Sequence, residues 1–471
     1  MSTFHSTMNR RDFMKIIGLA GAGCGAAAVA GQPFSDLDEL TASPQGLVKK
    51  PWYVKETDNP TVEIDWAMMK RYDWNELYTV YAKNRPANVA KAKEWAAANK
   101  PGYSLRDRSL HSATGFAGQV WGTTMSFVPR TRANIPNFWP SIVYGLMTPE
   151  QLGVPRWQGT PEENLKMLRS AARFWGAKDL TAVPLDSRTK NLVNGIDRDK
   201  KPVIFEDVEL GYETTAKRVV PNRMKHLVTW STLQSTDMIK RAPDAICAST
   251  IAMGYDHGIL LCNRLQHFIT GLGYEALSPA NYNYLALCGP TSILSGQAEA
   301  ARMGFPTLDP ELGPMVRRWM LITDLPIAET KPIDAGMFRF CRTCAICAEN
   351  CPGSAINLGE PTWDVLGNFN HAGSKSYPFL PQNCRDFWME NTGIDCSVCL
   401  ASCPFSTKDK ADIHHLIKFT IANSDTFNSF FKGMSKSFKL DRLEREKENS
   451  WWDLPNQPVF GFDTTRTTSL E

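Results

Sequence analysis

Apolar residues recur at helical spacing in the segment TPEENLKMLRSAARFW. Leu165, Leu168 and Ala172 lie three and four positions apart, which predicts one buried face of an amphipathic helix. Thr160 and Glu163, three positions apart at the start of the segment, are typical of a capping box. The run LTAVPL that follows is interpreted as a β-strand. The segment therefore predicts a helix followed by a strand.

A second segment, YDHGILLCNRLQHFITGLGYEAL, repeats the same order of elements. Its apolar residues Leu261, Leu265, Phe268 and Leu272 recur at intervals of four, three and four. Gly273 is a natural helix stop, and a short strand is expected after it.

Two further apolar runs, VIFEDVE and HLVTWSTL, have the length and composition of strands. Together with the two helix–strand segments, they predict an α/β core over residues 141–334. Residues 44–140 are expected to form an N-terminal region rich in aromatic residues, with a helical pattern in NVAKAKEWAAANK. Residues 411–471 are assigned to a C-terminal extension that is first charged and then aromatic.

Composition narrows the class of protein. The chain has 471 residues, 43% of them apolar, which is enough for two or three domains with cores of their own. The formal net charge is only +3, and the charges are mixed along the chain, so nothing indicates a nucleic-acid partner. After the N-terminus, no segment shows the roughly 20 consecutive apolar residues of a membrane span. We therefore expect a soluble or peripheral protein.

The N-terminus, MNRRDFMKIIGLAGAGCGAAAVAG, has the features of an export signal. Arg10 and Arg11 precede a weakly apolar run rich in Gly and Ala, which is typical of a twin-arginine signal peptide. We assign the signal to residues 1–43, with one candidate cleavage site at residues 28–30. Cys24 could be a lipoprotein cysteine, although the residues before it fit that role poorly. Because the twin-arginine route carries folded proteins, cofactors would be loaded in the reducing cytoplasm.

Eight of the twelve cysteines form two runs. The last three cysteines of each run repeat C-x2-C-x3-C-P, the bacterial ferredoxin pattern, in which the fourth cysteine of each run binds the other cluster. We therefore assign one [4Fe–4S] cluster to Cys341, Cys344, Cys347 and Cys403, and a second to Cys384, Cys396, Cys399 and Cys351. A zinc site or four disulfides would not explain a doubled run that ends in proline each time. These residues define a ferredoxin-like domain over residues 335–410.

Two clusters carry single electrons, but the chain is far longer than an electron carrier requires. The large core is therefore expected to house a further redox centre or the docking site of a partner. No G-x-G-x-x-G follows a strand and no C-x-x-C-H occurs, so neither a dinucleotide site nor covalent haem is indicated. The remaining isolated cysteines, Cys247, Cys262 and Cys288, are interpreted as core thiols.

Nearly the whole chain resembles the reductive dehalogenases of organohalide-respiring bacteria. The resemblance rests on the signal motif RRDFMK, on the phrases FITGLGYEAL and TDLPIAETKPIDAGMFRFCRTCAIC, and on the doubled cysteine runs with a long first gap in the second. It implies an α+β fold, with a nitroreductase-like α/β corrinoid-binding core followed by a ferredoxin-like domain with two [4Fe–4S] clusters. It also implies a base-off corrinoid of the cobalamin type, which the clusters reduce to Co(I).

The resemblance implies a set of catalytic residues. Tyr255 corresponds to the proton-donating tyrosine of the family, and a phenol with a pKa near 10 stays protonated at neutral pH. The family places a cation just after a Gly-Pro pair, but Met315 stands there in this chain. We choose Arg317 as the cation and keep Arg302 as the reserve. Asn281 corresponds to a family asparagine near the tyrosine. From the residues alone, Tyr255 is also compatible with a buried core tyrosine.

The resemblance also implies partners and a location. The substrate would be a small organohalide, namely a chlorinated alkene, alkane or arene, and the context would be anaerobic respiration. A small integral-membrane anchor protein and an upstream membrane electron donor would hold and feed the enzyme on the outer face of the cytoplasmic membrane. Homodimerisation is left open. Two other interpretations stay open: an exported iron–sulfur electron-transfer subunit without its own substrate, and an epoxyqueuosine reductase-like corrinoid enzyme, which the export signal and the near-neutral charge disfavour.

Overall fold

The computed structural model describes residues 50–74, 87–111, 126–129, 148–279, 285–304, 306–366, 370–406, 412–437, 441 and 451–453. The predicted signal peptide and Asn281 lie outside these residues. So do the predicted domain boundaries near residues 43, 140 and 410.

Nine β-strands occur in the described residues. They are β1 (Lys55–Glu56), β2 (Leu180–Pro184), β3 (Val203–Glu206), β4 (Tyr212–Glu213), β5 (Arg218–Pro221), β6 (His226–Leu233), β7 (Ala276–Leu277), β8 (Val316–Thr323) and β9 (Ile333–Asp334). The largest sheet has the order β2–β6–β8–β7, and all of its neighbouring strands are antiparallel. A smaller sheet has the order β3–β5–β4, and β1 pairs with β9.

Twelve α-helices are seen over the same described ranges. They are α1 (Ala87–Ala97), α2 (Pro149–Leu152), α3 (Pro161–Phe174), α4 (Thr236–Ile239), α5 (Ala245–Gly271), α6 (Cys288–Leu294), α7 (Met337–Cys344), α8 (Ile346–Glu349), α9 (Pro381–Glu390), α10 (Val398–Ala401), α11 (Asp412–Asn423) and α12 (Asn428–Ser437). The structure therefore has mixed helix and sheet content.

Helix α3 forms where the sequence predicts it. The backbone N–H of Thr160 donates to the Glu163 carboxylate at 2.8 Å, and the backbone N–H of Glu163 donates to the Thr160 hydroxyl at 3.2 Å. This reciprocal pair is the predicted capping box. Leu165, Leu168 and Ala172 are buried, so the predicted apolar face is confirmed.

Helix α5 is longer than the sequence pattern indicates, because it begins at Ala245, ten residues before Tyr255. The Asp244 carboxylate caps it by accepting the backbone N–H of Cys247 at 2.8 Å. By length and mean hydropathy (1.3), α5 could cross a membrane, which the sequence analysis overlooked. However, 67% of its most apolar window is buried inside the protein, where it packs on β6, β7 and β8.

Strand β8 is the main element that the sequence analysis missed. Arg317 and Arg318 interrupt its apolar pattern near the start, yet it pairs with β6 over eight residues. Residues alternate between the two faces of the strand. Trp319 packs with α3 and α5 on one face of the sheet, whereas Met320 packs in a separate apolar cluster on the other. The sheet is thus buried on both faces.

Candidate active site and cluster-binding cysteines

Tyr255 lies on α5 and is half-buried against one face of β8. The guanidinium carbon of Arg317 lies 4.4 Å from the centroid of the Tyr255 ring. The Trp319 ring meets the same ring edge to face, with centroids 5.8 Å apart. Arg317 and Trp319 share a face because they are two positions apart on a strand. The structure therefore brings Tyr255 and Arg317 together.

Two glycines next to Tyr255 allow β8 to approach α5 this closely. A Cβ atom on Gly258 would lie 1.7 Å from the Trp319 indole, and one on Gly254 would lie 3.1 Å from Cγ of Arg317. The Thr232 hydroxyl donates to the Gly254 carbonyl at 3.1 Å and so ties α5 to β6 at this point. The pattern AMGYDHG, with glycines four apart around the tyrosine, is the sequence signal for this packing, and the sequence analysis did not use it.

Arg318, the neighbour of Arg317, and Arg302, the reserve cation, have different partners. Arg318 lies on the opposite face of β8, where it is buried and donates to the Ser231 hydroxyl at 2.6 Å. Arg302 is also buried, and its Nε donates to the Cys341 carbonyl at 2.9 Å. Arg302 therefore supports the first cysteine run, and of these three arginines only Arg317 lies over Tyr255.

Arg317 also acts electrostatically on the second cysteine run. Burial raises the pKa of Asp395, and the positive charges of Arg317, His111 and Arg385 counteract part of this rise. Asp395 directly precedes Cys396. Arg317 thus contacts Tyr255 and acts electrostatically on Asp395, which lies in the loop that carries the second run.

The eight cysteines of the two runs are free thiols, and they form two groups. Burial raises the pKa of all four thiols of the first group, which are Cys341, Cys344, Cys347 and Cys403. Neighbouring thiols of the same group raise the pKa of Cys341, Cys347 and Cys403 further. In the second group, Cys351 is among the neighbours that raise the pKa of Cys384, Cys396 and Cys399 beyond the effect of burial. Cys399 is also affected by Cys347, so the groups are neighbours. Each group has the members of one predicted ligand set, and the binding of clusters by these sets stays a prediction.

The two runs repeat one local backbone turn. The residue after Cys344 is Ala345, with φ +53°, and the residue after Cys396 is Ser397, with φ +54°. The backbone N–H of Ile346 donates to the Cys344 thiol, and the backbone N–H of Val398 donates to the Cys396 thiol. Burial raises the pKa of Cys344 to about 11 and that of Cys396 to about 12, although each hydrogen bond counteracts part of the rise. The short helices α8 and α10 that follow the two turns pack against each other.

Each thiol group has four members, which is the number of ligands that a [4Fe–4S] cluster requires. Among the described residues, no three His, Cys, Asp or Glu side chains converge on a point as the ligands of one metal ion would. In a four-iron cluster, each thiolate binds its own iron atom, so the four sulfur atoms need not converge on one point. Iron binds thiolates, so a cluster held by these buried cysteines would displace their protons, and backbone N–H groups that point at sulfur would tune its reduction potential.

A cavity of about 430 Å³ lies elsewhere, beside α7. Its lining includes Asp334, Phe338, Arg339 and Arg342, and neither Tyr255 nor Arg317 contributes to it. It is therefore separate from the Tyr255 site.

Comparison with known proteins finds relatives that match nearly the whole chain. The family model described as the reductive dehalogenase subunit matches residues 49–327. A chloroethene reductive dehalogenase of Dehalococcoides mccartyi is 30% identical over 98% of this chain and 99% of its own length. A trichloroethene reductive dehalogenase of another strain of that species is 28% identical over 97% of this chain and 98% of its own length.

Solved structures show the same fold. A catabolic reductive dehalogenase matches with a TM-score of 0.58 and 17% identity, over 83% of this chain and 50% of its own, so this chain spans about half of that protein. A second solved reductive dehalogenase, described in terms of B12-dependent dehalogenation, gives a TM-score of 0.58 and 18% identity. The resemblance found in the sequence is thereby confirmed: the chain belongs to the reductive dehalogenase family and is an oxidoreductase that acts on carbon–halogen bonds.

Proposed function

We propose that this protein is a corrinoid-dependent reductive dehalogenase that replaces a halogen with hydrogen on a chlorinated alkene, alkane or arene during anaerobic respiration. The observation that carries the proposal is the contact of Arg317 with Tyr255, 4.4 Å from guanidinium carbon to ring centroid. The names of the relatives, which include chloroethene and tetrachloroethene reductive dehalogenases, support a chlorinated hydrocarbon as substrate.

The reaction consumes two electrons and one proton, and it yields the reduced hydrocarbon and a halide ion. A corrinoid bound beside Tyr255 would supply the reducing cobalt that breaks the carbon–halogen bond. Tyr255 donates the proton from its hydroxyl to the carbon that loses the halogen. The positive charge of Arg317 stabilises the phenolate that this transfer leaves behind, because an adjacent cation favours the charged form of an acid. Asn281 is a further candidate for this site.

Two [4Fe–4S] clusters in a ferredoxin-like domain would supply electrons to this site. Cys341, Cys344, Cys347 and Cys403 would hold one cluster, and Cys351, Cys384, Cys396 and Cys399 would hold the other. The repeated turn at Ala345 and Ser397 supports this assignment, because both runs aim a backbone N–H at a thiol in the same way. The antiparallel sheet under α5 is the proposed nitroreductase-like, corrinoid-binding core.

The proposal extends to the place of action. The signal motif RRDFMK supports export by the twin-arginine route. The enzyme then works on the outer face of the cytoplasmic membrane, held by a small integral-membrane anchor protein and fed by a membrane electron donor.

Halide release tests the proposal. Protein loaded anaerobically with iron, sulfide and a corrinoid is supplied with trichloroethene and a reduced viologen dye, and chloride is measured. We expect Tyr255→Phe to lower the rate of chloride release by at least 100-fold, as is typical for loss of a proton donor. Arg317→Lys, which keeps the charge, should retain more activity than Arg317→Met.

Tyr274→Phe is the matched control. The Tyr274 hydroxyl donates to the Trp157 carbonyl at 2.9 Å, so this variant loses one hydrogen bond, which contributes about 1 kcal/mol of stability. It keeps Tyr255, the proposed proton donor. It should release chloride at the wild-type rate. Full activity of Tyr255→Phe would contradict the assigned role, and a cobalt-loaded wild type that releases no halide from alkenes, alkanes or arenes would contradict the proposed function.

A further inference from the structure

Gln234 directly follows β6, and its side chain is buried, with only 5% of its surface exposed. Among the residues that the structure describes, neither the oxygen nor the nitrogen of its carboxamide has a hydrogen-bond partner. Its backbone, in contrast, continues the sheet, because its N–H donates to the Met315 carbonyl at 3.1 Å. The strand thus fixes Gln234 in place while its amide stays unpaired.

Gln297, a comparably buried glutamine, has hydrogen-bond partners for both groups of its carboxamide. The Gln297 carboxamide donates to the Thr229 carbonyl at 2.9 Å and accepts from Arg318 at 3.1 Å. A buried primary amide without partners destabilises a fold, because it loses its hydrogen bonds to water and gains none. We therefore expect a bound molecule to supply the hydrogen-bond partners of the Gln234 carboxamide.

The position of Gln234 puts that molecule at the candidate active site. A Cβ atom on Gly254 would lie 3.7 Å from Cγ of Gln234 and 3.1 Å from Cγ of Arg317. Both side chains therefore pack beside Gly254, the residue before Tyr255. Thr232 lies two residues before Gln234, so their side chains lie on the same side of the extended backbone. The Thr232 hydroxyl donates to the backbone carbonyl of the same Gly254.

The chemistry of the carboxamide selects the class of ligand. Its unpaired atoms are one acceptor oxygen and one donor nitrogen, and both are satisfied by another primary amide. A chlorinated hydrocarbon offers no such pair of groups. The rim of a corrinoid carries several primary carboxamides. We propose that Gln234 binds the corrinoid by pairing its carboxamide with one on the rim of the macrocycle; this inference rests on the proposed function.

Binding of cobinamide, a corrinoid that keeps the rim amides, tests the inference directly. Full-length protein carrying its iron–sulfur clusters is equilibrated anaerobically with cobinamide, and bound cobalt is measured after ultrafiltration. We expect Gln234→Met to weaken cobinamide binding about tenfold, because it leaves one rim amide unpaired. Before cobinamide is added, this variant should melt at or above the wild-type temperature, since it removes an unpaired buried amide.

Gln297→Met is the matched control with the opposite expected pattern: a lower melting temperature and wild-type cobinamide affinity of the folded protein. Gln234→Glu, which can accept but not donate, should also weaken binding and provides a second variant of the same size. Wild-type affinity in both Gln234 variants would overturn the inference while leaving the proposed function intact. If the wild-type protein itself binds no cobinamide, the corrinoid-dependent function and the inference both fail.

Discussion

Replacement of Gly258 by alanine tests the packing that places Tyr255. The added Cβ would lie 1.7, 2.0 and 2.2 Å from three atoms of the Trp319 indole. Ordinary carbon–carbon contacts are about 3.5–4.0 Å, so the ring would have to move by about 2 Å. Trp319 is fully buried, and the strand that carries it pairs on both sides, so such a movement disturbs the surrounding core.

The expected loss of stability follows from two opposing effects. Overpacking of a core costs about 1–3 kcal/mol, and a clash this severe belongs at the upper end of that range. Alanine in place of glycine inside a helix returns about 0.5–1 kcal/mol. We therefore expect Gly258→Ala to lower the free energy of unfolding by about 2 kcal/mol, measured by urea denaturation followed by circular dichroism.

Gly433→Ala is the control for the helix effect alone. Gly433 lies inside α12, and a Cβ there would meet nothing within 4 Å. This variant should gain about 0.5–1 kcal/mol of stability. Because Trp319 meets the Tyr255 ring edge to face, Gly258→Ala should also lower chloride release by the folded protein, whereas Gly433→Ala should not.

Equal or higher stability of Gly258→Ala, together with full activity, would refute this reasoning. Gly254→Ala provides a graded comparison. Its Cβ would be 3.1 Å from Cγ of Arg317, so a shift of a few tenths of an ångström suffices. We expect a stability close to that of the wild type and an activity between those of the wild type and Gly258→Ala.

Two further predictions concern buried charges. Burial raises the pKa of Glu299 from 4.5 to about 7, so the folded state favours the protonated form. The free energy of unfolding should fall by about 3 kcal/mol as the pH rises from 4.5 to about 7, and Glu299→Gln should flatten this dependence in urea titrations; an unchanged slope would contradict the assignment. The Lys178 ammonium lies 2.7 Å from both carboxylate oxygens of the buried Asp309. Lys178→Met should cost about 3–5 kcal/mol, because Asp309 is left with Arg318 at 4.0 Å, and a loss below about 1 kcal/mol would show that the pair is dispensable.

Local sequence patterns predicted the elements whose determinants lie close together in the chain. The capping box of α3 and the apolar spacing of α3 and α5 depend on residues a few positions apart, and all of them appear in the structure. Strand β8 was missed because Arg317 and Arg318 break its apolar pattern. Each arginine is accommodated by a partner from elsewhere in the chain: Tyr255 on one face and Ser231 on the other.

In the candidate site too, features set by residues close together in the chain are predictable from the sequence, whereas contacts between distant residues are not. The sequence spacing of the cysteines predicts two ligand sets, and the thiols that raise one another's pKa values divide in nearly the same way. The contact between Tyr255 and Arg317 depends on the register of β6 with β8 and on the glycines of α5. Neither can be read from residue types alone. The unpaired amide of Gln234 is likewise visible only once its surroundings are known.

Metal analysis of the anaerobically prepared protein tests the central claim most directly. Two [4Fe–4S] clusters and one corrinoid predict about eight irons and one cobalt per chain. About eight irons without cobalt, even when a corrinoid is supplied during folding, would contradict a corrinoid-dependent dehalogenase and leave an iron–sulfur electron carrier.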